Sequence, residues 1–308
     1  MSIISQIKTR ICKVEWGVAI RERNSSFLFF DQNTTPPIFT PIPNSYRYWA
    51  ADPFIIDFNN KTHLFVELYD RLKRKGLLGF MDITDGVKTT FKVVFETNCH
   101  LSYPLCFICE GNLYAIPESN NIKKLLLLKW DSEKEIFNEI DTFMEGYCLA
   151  DTNFVVKDED MYMLTTEVTK QDNVSTLSIF KRTGSEFVPS SLNPVVKDKT
   201  TARNGGKIIQ EDGTLYRVSQ DCSKGYGSAI NLMRIDNLSL ENYGETLVKK
   251  ILPSHIKVKG LDYIDGIHTY NSNARWEVID YKISHKFSLA ELIGYALCKF
   301  KVFTKIEK

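Results

Sequence analysis

Short apolar runs separated by polar turns recur along the chain, and together they form a hairpin pattern that occurs five times. In the first copy, the run Asp52 to Ile56 is followed by a turn at Asn59 and Asn60, and then by Leu64 to Val66. Asn, Asp and Gly between β-prone runs are typical of hairpin turns, because these residues tolerate positive φ. The other copies begin at Tyr103, Asp151, Arg203 and His268.

One aromatic position in the second strand of each copy sets the period of the repeat. These positions are Phe65, Tyr114, Tyr162, Tyr216 and Trp276. Their spacings of 49, 48, 54 and 60 residues are close to the length of a four-stranded propeller blade. A third β-prone run follows in each of the first four periods, at 76–83, 124–131, 175–182 and 228–236. The pattern predicts an all-β protein, a five-bladed β-propeller.

The two ends of the chain differ from the repeat. The fifth period is too short after Asp280 for a full sheet, whereas Val14 to Arg21 is a β-prone run without a blade of its own. We therefore expect the N-terminal strand to close the last blade, because this removes an exposed sheet edge. Residues 1–285 are predicted to form the propeller, and residues 286–308 a short C-terminal amphipathic basic helix and tail.

The C-terminal segment has two interpretations. Ser288 and Glu291 have the spacing of a capping box, which favours a helix start. The basic residues that follow suit an anionic membrane surface and predict peripheral membrane contact; they are Lys299, Lys301, Lys305 and Lys308. The apolar face with Leu289 and Leu292 would equally suit docking on the propeller.

Charge and composition narrow the class of partner. The chain has 39 Lys and Arg against 38 Asp and Glu, and 43% of its residues are hydrophobic. No whole-molecule field would draw it onto nucleic acid, so no nucleic-acid partner is expected. No stretch reaches the roughly 18 apolar residues of a membrane-spanning helix, and the first residues lack a signal-peptide pattern. We expect a cytoplasmic protein, at most attached to the inner face of the membrane.

Cysteine usage agrees with that compartment. The seven cysteines are odd in number and several lie in apolar strand-like runs, which favours reduced thiols. Cys106 and Cys109 form a C-x-x-C on a predicted strand, where they face opposite sides, and no second Cys/His pair follows at zinc spacing. We therefore expect no metal. A P-loop and a Rossmann glycine fingerprint are also missing, so no cofactor is predicted.

The chemistry is expected where the innermost strands begin, because these positions crowd around one mouth of a propeller. Here they are occupied by two carboxylates, a guanidinium, an imidazole and a phenol, and unpaired charges at such packing positions would be costly. We expect an axial pit with three catalytic candidates, Asp52, Asp151 and His268. The candidates for substrate binding are Glu67, His100, Tyr103, Glu118, Arg203, Gln220, Asp221 and Tyr226.

Single members of this set also have structural interpretations. Asp52 precedes Pro53 and could act as a turn or cap residue. Arg203 could pair with Asp151 only to stabilise the channel. The ring as a whole is harder to explain by packing than any one residue.

Six short segments resemble the propeller domain at the N-terminus of plant glucosamine inositolphosphorylceramide transferases and their bacterial relatives. They are Trp49 to Phe54, His100 to Pro104, Ile116 to Ser119, Ala150 to Thr152, Gln220 to Ser223, and Tyr226 with Gly227. The resemblance covers nearly all of residues 14–283. It implies a role in the assembly of a glycolipid or a surface polysaccharide.

A more distant resemblance links the Asp-Pro start of a blade to five-bladed glycoside hydrolases, in which an inner-strand aspartate serves as base or nucleophile. It maps onto Asp52 alone. The second blade departs from the hydrolase pattern, because Tyr103 stands where an aspartate is expected. The acid cannot be assigned between Glu118 and Glu145.

The leading hypothesis is a glycosyltransferase-like enzyme of bacterial surface polysaccharide or glycolipid biosynthesis, acting on an activated sugar or a glycolipid. Asp52 or Asp151 would take the proton of the acceptor hydroxyl, and Arg203 and His268 would hold a leaving phosphate. Tyr103 or Tyr226 would stack on a sugar.

Two alternatives stay open beside this hypothesis. One is a glycoside hydrolase with two carboxylates, namely Asp52 and one of Glu67, Glu118, Glu145 and Asp151. The other is a propeller that binds a glycan without catalysis.

Overall fold

The computed structural model describes residues 12–23, 27–31, 35–172 and 174–286, and these residues form five sheets of mainly antiparallel strands. The predicted C-terminal helix and basic tail lie outside these ranges. Two single-turn 3-10 helices, Asn120–Ile122 and Pro253–His255, are the helical segments of the described chain. Neither is long and apolar enough to cross a membrane.

The strands are short and regularly spaced. In chain order they are β1 (Cys12–Glu22), β2 (Ile38–Ile42), β3 (Tyr48–Phe58), β4 (Lys61–Asp70), β5 (Lys75–Asp82), β6 (Lys92–Phe95), β7 (Ser102–Cys109), β8 (Asn112–Glu118), β9 (Leu125–Asp131), β10 (Ile136–Phe143) and β11 (Leu149–Lys157). The chain continues with β12 (Asp160–Glu167), β13 (Thr176–Thr183), β14 (Glu186–Pro189), β15 (Val196–Lys197), β16 (Ile209–Glu211), β17 (Thr214–Asp221), β18 (Ala229–Leu238), β19 (Tyr243–Ile251), β20 (Lys257–Val258), β21 (Tyr270–Ser272) and β22 (Trp276–Lys286).

Each sheet is one blade of the predicted five-bladed propeller. The first blade has the strand order β3-β4-β5-β6, the second β7-β8-β9-β10, the third β11-β12-β13-β14 with β15 on β13, and the fourth β16-β17-β18-β19. The fifth blade has the order β21-β22-β1-β2, with β20 at its outer edge. The prediction of an all-β five-bladed propeller is confirmed.

The N-terminal strand closes the ring, as the sequence predicted. Strand β1 pairs with β22 in an antiparallel register that runs from Cys12 opposite Lys286 to Glu22 opposite Trp276. Strand β2 adds to the other side of β1, and β20 lies parallel to β2. The first and last parts of the described chain therefore share one sheet, and β1 covers the edge that β22 would otherwise expose.

A buried carboxylate fastens this closure. The Glu277 side chain on β22 has no solvent exposure. Its Oε2 accepts a hydrogen bond from Nε of Arg21 at 2.6 Å, and its Oε1 accepts one from the backbone N–H of Leu28 at 2.6 Å. The hydroxyl of Tyr270 donates to the same Oε1. One charge thus joins three separate segments of the fifth blade.

The hydrophobic cores lie between neighbouring blades. Between the first two blades, the rings of Phe65 and Trp130 have centroids 5.2 Å apart, and Phe80 and Phe137 pack around them. The aromatic positions that set the sequence period belong to these cores because period-two alternation turns them towards the next blade. Tyr114 is the exception, since it is half-buried and stacks on Phe107 within its own blade.

Candidate active site

Three inner strands begin with the same unusual backbone. Asp52, Tyr103 and Asp151 have φ values of 46°, 44° and 48°, and each lies at an irregularity in the pairing of its strand with the next. A left-handed conformation is strained for a residue with a side chain. A β-bulge redirects a side chain and is common beside active sites. The repeat therefore delivers three equivalent residues to the channel in one conformation.

A cavity of about 210 Å³ opens where the inner strands begin. Seven of the sequence-predicted residues line it: Asp52, Glu67, His100, Glu118, Arg203, Tyr226 and His268. Trp16, Trp49, Ala51, Tyr69 and Ser102 complete the lining. The other four predicted residues, Tyr103, Asp151, Gln220 and Asp221, lie outside it. The carboxyl groups of the lining come from three different strands, so the propeller ring brings them together.

The imidazole of His268 lies between two buried carboxylates. Its Nε2 is 3.2 Å from Oδ1 of Asp52, and its Nδ1 is 2.8 Å from Oδ2 of Asp280. Burial disfavours the charged ring, but the two carboxylates outweigh burial and hold the pKa of His268 well above its usual value. The same contact with His268, opposed by burial, lowers the pKa of Asp52. At neutral pH the site therefore holds an ionised Asp52 beside an imidazolium.

Backbone and hydroxyl donors fix this ion-pair cluster. Asp52 accepts hydrogen bonds from the Thr269 hydroxyl at 2.7 Å and from the Tyr103 N–H at 3.1 Å. Asp280 accepts from the N–H groups of Asp52, His268 and Thr269. The ligand atoms of Asp52, His268 and Asp280 lie within 4.8 Å of one another, a spacing that could hold a metal ion. Because His268 already bridges the two carboxylates, the arrangement is that of an ion-pair cluster.

Glu67 is a second carboxyl group of the cavity, with the opposite electrostatic state. Burial and the nearby charge of Asp52 raise the pKa of Glu67 well above its usual value. His100 faces Glu67, with Nε2 3.5 Å from Oε1. Nδ1 of His100 accepts a hydrogen bond from the Gly76 N–H at 2.8 Å, which leaves the ring proton on Nε2. A side chain at Gly76 would lie 2.1 Å from the Leu101 carbonyl, so only glycine permits this contact.

Glu118 and Asp151 form a third acidic element, and Arg203 lies between them. Nε of Arg203 is 2.5 Å from Oδ2 of Asp151, and Nη2 is 3.3 Å from Oε2 of Glu118. Burial, opposed by Arg203 and assisted by Asp151, raises the pKa of Glu118 to about 8. Burial also raises the pKa of Asp151, against the attraction of Arg203. The backbone N–H of Asp151 also donates to Oε2 of Glu118 at 3.3 Å, and the raised pKa of Glu118 favours a proton on this carboxyl pair at neutral pH.

The predicted residues outside the cavity lining make structural contacts. The fully buried Tyr103 donates its hydroxyl hydrogen to the Gly206 carbonyl at 2.8 Å and accepts from Asn153 at 3.0 Å. Gln220 donates to Oδ2 of Asp151 at 2.8 Å. Asp221 pairs with Lys250 of β19. Tyr103 thus ties three blades across the channel, and Asp221 points away from the pit.

Aromatic rings form two walls of the cavity. Trp49 and Tyr69 lie opposite each other on β3 and β4, and their rings stack with centroids 4.7 Å apart at an interplanar angle of 12°. On the other side, the Trp16 ring lies 4.1 Å from the His268 ring, and the Tyr226 ring lies 5.1 Å from it. Flat apolar faces beside polar groups are well suited to the faces of a sugar ring.

Sequence reasoning missed part of the site. Tyr69 follows Glu67 by two residues, so the strand period alone could have indicated it. Trp49 lies two residues before Ala51 on the same face. Trp16 and Asp280 gave no local signal, because β1 and β22 reach the pit only through closure of the ring.

The chemistry of the site follows from carboxyl groups in different protonation states. At Asp52, burial is outweighed by His268, which lowers the pKa, whereas burial raises the pKa of Glu67 well above its usual value and that of Glu118 to about 8. Titratable groups whose environments separate their pKa values are suited to work as an acid and a base. The aromatic walls would orient a ligand ring between them.

The fold and the site define a five-bladed β-propeller with a carboxyl-rich, aromatic-walled axial pit. The chain belongs to the family described as "Glucosamine inositolphosphorylceramide transferase 1, N-terminal", whose sequence profile matches residues 41–276. The resemblance expected from the six segments is therefore confirmed.

Curated relatives include glucosamine inositolphosphorylceramide transferase 1 of Arabidopsis thaliana. It is 30% identical over 226 residues, which cover 68% of this chain and 28% of the relative. The protein of that name from Oryza sativa subsp. japonica is also 30% identical over 226 residues, covering 68% of this chain and 29% of the relative. The chain therefore spans less than a third of the length of these relatives.

Solved structures share the fold at low sequence identity. The catalytic domain of an α-L-arabinofuranosidase from Coprinopsis cinerea gives a TM-score of 0.55 at 7% identity, covering 87% of this chain and 96% of that chain. An α-L-arabinofuranosidase from Podospora anserina gives a TM-score of 0.54 at 8% identity, covering 75% and 90%. At these identities the likeness shows the propeller fold alone.

Proposed function

We propose that the protein is a glycosyltransferase-like enzyme that transfers a sugar within the axial pit, in the biosynthesis of a bacterial glycolipid or surface polysaccharide. One observation carries the proposal: Asp52, whose pKa is lowered, lines the same small cavity as Glu67 and Glu118, whose pKa values are raised. The name of the curated relatives, glucosamine inositolphosphorylceramide transferase, supports a sugar and a glycolipid as the substrate classes.

In the proposed reaction, Asp52 takes the proton of the acceptor hydroxyl as the acceptor oxygen bonds to the anomeric carbon. The bond from that carbon to the leaving oxygen breaks, and the electron pair leaves with the oxygen. Glu67 donates its proton or a hydrogen bond to that oxygen. The negative charge of Asp52 also stabilises the positive charge that develops on the sugar ring.

Arg203 and His268 receive a narrower role than the sequence suggested. Each cation already contacts two carboxyl groups, so a phosphate would compete with partners inside the protein. We assign to His268 the task of keeping Asp52 ionised and oriented. Arg203 then holds Asp151 and Glu118, and the sugar end of the donor occupies the pit.

Hydrolysis of a glycosidic bond is the second candidate. The same acid and base would serve, with water in place of the acceptor hydroxyl. The separated pKa values of Asp52 and Glu67 favour this candidate as much as transfer, because both reactions need one acid and one base. Only the acceptor distinguishes the two reactions.

The proposed compartment is the cytosol, at the inner face of the membrane. Support comes from five cysteines whose thiols are free: Cys99, Cys106, Cys109, Cys148 and Cys222. Free thiols are typical of a reducing compartment.

The test compares three proteins on two kinds of donor. Wild type, Asp52→Asn and Arg203→Lys are incubated with phosphate-activated sugars or simple aryl glycosides, each with and without a glycolipid acceptor, and products are identified by mass spectrometry. We expect transfer from activated donors, and a loss of about 10²-fold or more in Asp52→Asn. Asp57→Asn, on the same strand but outside the cavity, serves as the matched control.

Each outcome decides between the candidates. Free sugar released from simple glycosides, without transfer, would replace the transferase by a hydrolase. Near-normal turnover by Asp52→Asn would remove Asp52 from the chemistry. Saturable glycan binding without turnover of any donor would leave a binding propeller. If Arg203→Lys loses turnover only with phosphate-activated donors, Arg203 contacts the phosphate of the donor after all.

A further inference from the structure

The two faces of the propeller carry opposite charge, although the whole chain is nearly neutral. Two kinds of loop surround the pit mouth. One kind leads into the inner strand of a blade, and the other joins the second strand of a blade to its third strand. Exposed cations occur in these loops of the first four blades: Lys73, Arg74, Lys123, Lys170, Lys199 and Lys224. Among the described residues of these loops in the first four blades, Glu145 is the exposed carboxylate.

The mouth loops of the first four blades also contain three half-buried acids. Glu96 pairs with Lys73 and Lys75. Asp172 accepts hydrogen bonds from the backbone of Val174 and Ser175, and Asp198 accepts from its own loop in the same way; these bonds do not neutralise the two carboxylates. The segment before β21 is mixed, because Lys259 is followed by Asp262 and Asp265. Over the first four blades, the six exposed cations therefore outnumber the four acids Glu96, Glu145, Asp172 and Asp198.

The opposite face exposes more carboxylates than cations, although Lys61, Lys88, Lys134 and Arg275 also lie there. There the inner hairpin turns expose carboxylates in the second, third and fourth blades: Glu110, Asp158, Glu159 and Asp212. A body with one cationic and one acidic face is oriented by an anionic surface, which attracts the first face and repels the second.

Large apolar side chains are exposed among the cations of the mouth. They lie in or beside different loops of the rim: Val14 (58% exposed), Tyr46 (52%), Ile122 (38%), Tyr147 (37%) and Tyr226 (41%). Tyrosine beside lysine is typical of protein surfaces that rest at the interface of a bilayer. Scattered apolar residues alone would mean little, but here they share one rim with the cations.

The termini of the described chain also leave at this rim. Trp16 lies in the cavity wall opposite Lys282, and the β1–β22 pair continues from there to Cys12 and Lys286. Four residues of strand extend about 13 Å. The predicted basic segment 286–308 therefore starts on the side of the pit mouth.

We propose that the pit-mouth face, defined by the six cations and five apolar residues above, docks on an anionic lipid bilayer, with the pit opening towards the membrane. The exposed cations of this face complement an anionic surface, and the apolar side chains on the same rim suit the interface of a bilayer. An anionic bilayer is therefore the partner that fits both features. Given the proposed function, this orientation brings a membrane-held glycolipid directly to Asp52.

The experiment measures binding of the full chain to vesicles of phosphatidylglycerol and phosphatidylcholine, with pure phosphatidylcholine for comparison. The mouth variant is Lys123→Glu/Lys170→Glu/Lys224→Glu. Its matched control, Lys61→Glu/Lys88→Glu/Lys134→Glu, makes the same charge change on exposed lysines away from the mouth. We expect the mouth variant to lose at least about tenfold in partitioning onto the anionic vesicles, and the control to bind like wild type.

A second variant tests how much the apolar side chains contribute to vesicle binding. Tyr46→Ser/Ile122→Ser should weaken vesicle binding while keeping the melting temperature. Failure of wild type to bind anionic vesicles, or equal losses in mouth and control variants, would overturn the proposal. Unchanged binding of the mouth variant would assign the membrane contact to residues 286–308. Asp52→Asn should bind vesicles normally, and the mouth variant should keep its turnover of water-soluble donors.

Discussion

His268 and Asp52 form a buried ion pair, with Nε2 of the imidazole 3.2 Å from Oδ1 of the carboxylate. The pair connects the fifth blade to the first, so one contact both joins two blades and sets the charge of the site. His268 keeps its proton because a second carboxylate, Asp280, contacts its other nitrogen. The packing of the fifth blade against the first is therefore coupled to the ionisation of Asp52.

The protonation of His268 can be measured directly. Burial alone would lower its pKa, and Asp280 and Asp52 together raise it well above the usual value. Imidazole NMR signals of wild type, recorded from about pH 5.5 to 8, should therefore show His268 still protonated at pH 7, where an ordinary histidine is mostly neutral. In Asp280→Asn one carboxylate is lost, so the titration should move down into this range. A neutral His268 in wild type at pH 7 would contradict this assignment.

Glu118 predicts a particular pH dependence of stability. Its pKa rises from 4.5 in the unfolded chain to about 8 in the folded protein. Because the folded protein binds the Glu118 proton more tightly than the unfolded chain does, this proton stabilises the fold fully below pH 4.5. The stabilisation is lost as pH rises towards 8. The free energy of unfolding of wild type should therefore fall between these values more steeply than that of Glu118→Gln. Urea unfolding at four pH values tests this, with the exposed Glu139→Gln as the control that should follow wild type.

The stacked rings of Trp49 and Tyr69 should contribute to binding rather than to the chemical step. Trp49→Ala removes one face of the cavity wall without touching a carboxyl group. We expect KM to rise about tenfold with a small change in kcat, because a stacking contact is present before and during the reaction. Ile108→Ala, which removes an exposed apolar side chain outside the cavity and away from the pit mouth, is the control. A fall in kcat at constant KM would place Trp49 in the chemistry instead.

Glu277 should be required for closure of the ring. Replacing it by alanine leaves the buried Arg21 guanidinium, the Leu28 N–H and the Tyr270 hydroxyl without their acceptor. Breaking a buried pair in this way costs about 3–5 kcal/mol. Denaturant unfolding should show a loss of that order for Glu277→Ala, and almost none for the exposed Glu186→Ala. A loss below about 1 kcal/mol would mean that the strand pairing of β1 and β22 closes the ring alone.

The architecture was predictable because its signals are local and repeated. Five hairpins with the same turn chemistry, such as Asn59 with Asn60 and Asp212 with Gly213, specify five sheets without knowledge of distant contacts. The unmatched run at Val14 to Arg21 and the short last period also pointed to ring closure. That Asp52, Arg203 and His268 would meet followed from their equivalent positions in the repeat.

The details of the site depended on contacts that no local pattern contains. The direction of each strand-start side chain depends on the local backbone and its neighbours, and these put Asp52 in the pit but bury Tyr103 against Gly206. Asp280 and Trp16 entered the site only through the pairing of β22 with β1.

The sequence by itself determined that five β-blades close into a ring with acidic residues at one mouth. Only the tertiary structure decided which acids are ionised. In spite of burial, His268 keeps Asp52 ionised, whereas burial raises the pKa values of Glu67 and Glu118. The physical reason is that a pKa depends on solvent exclusion and on charges within a few ångströms, and both arise when distant segments pack together.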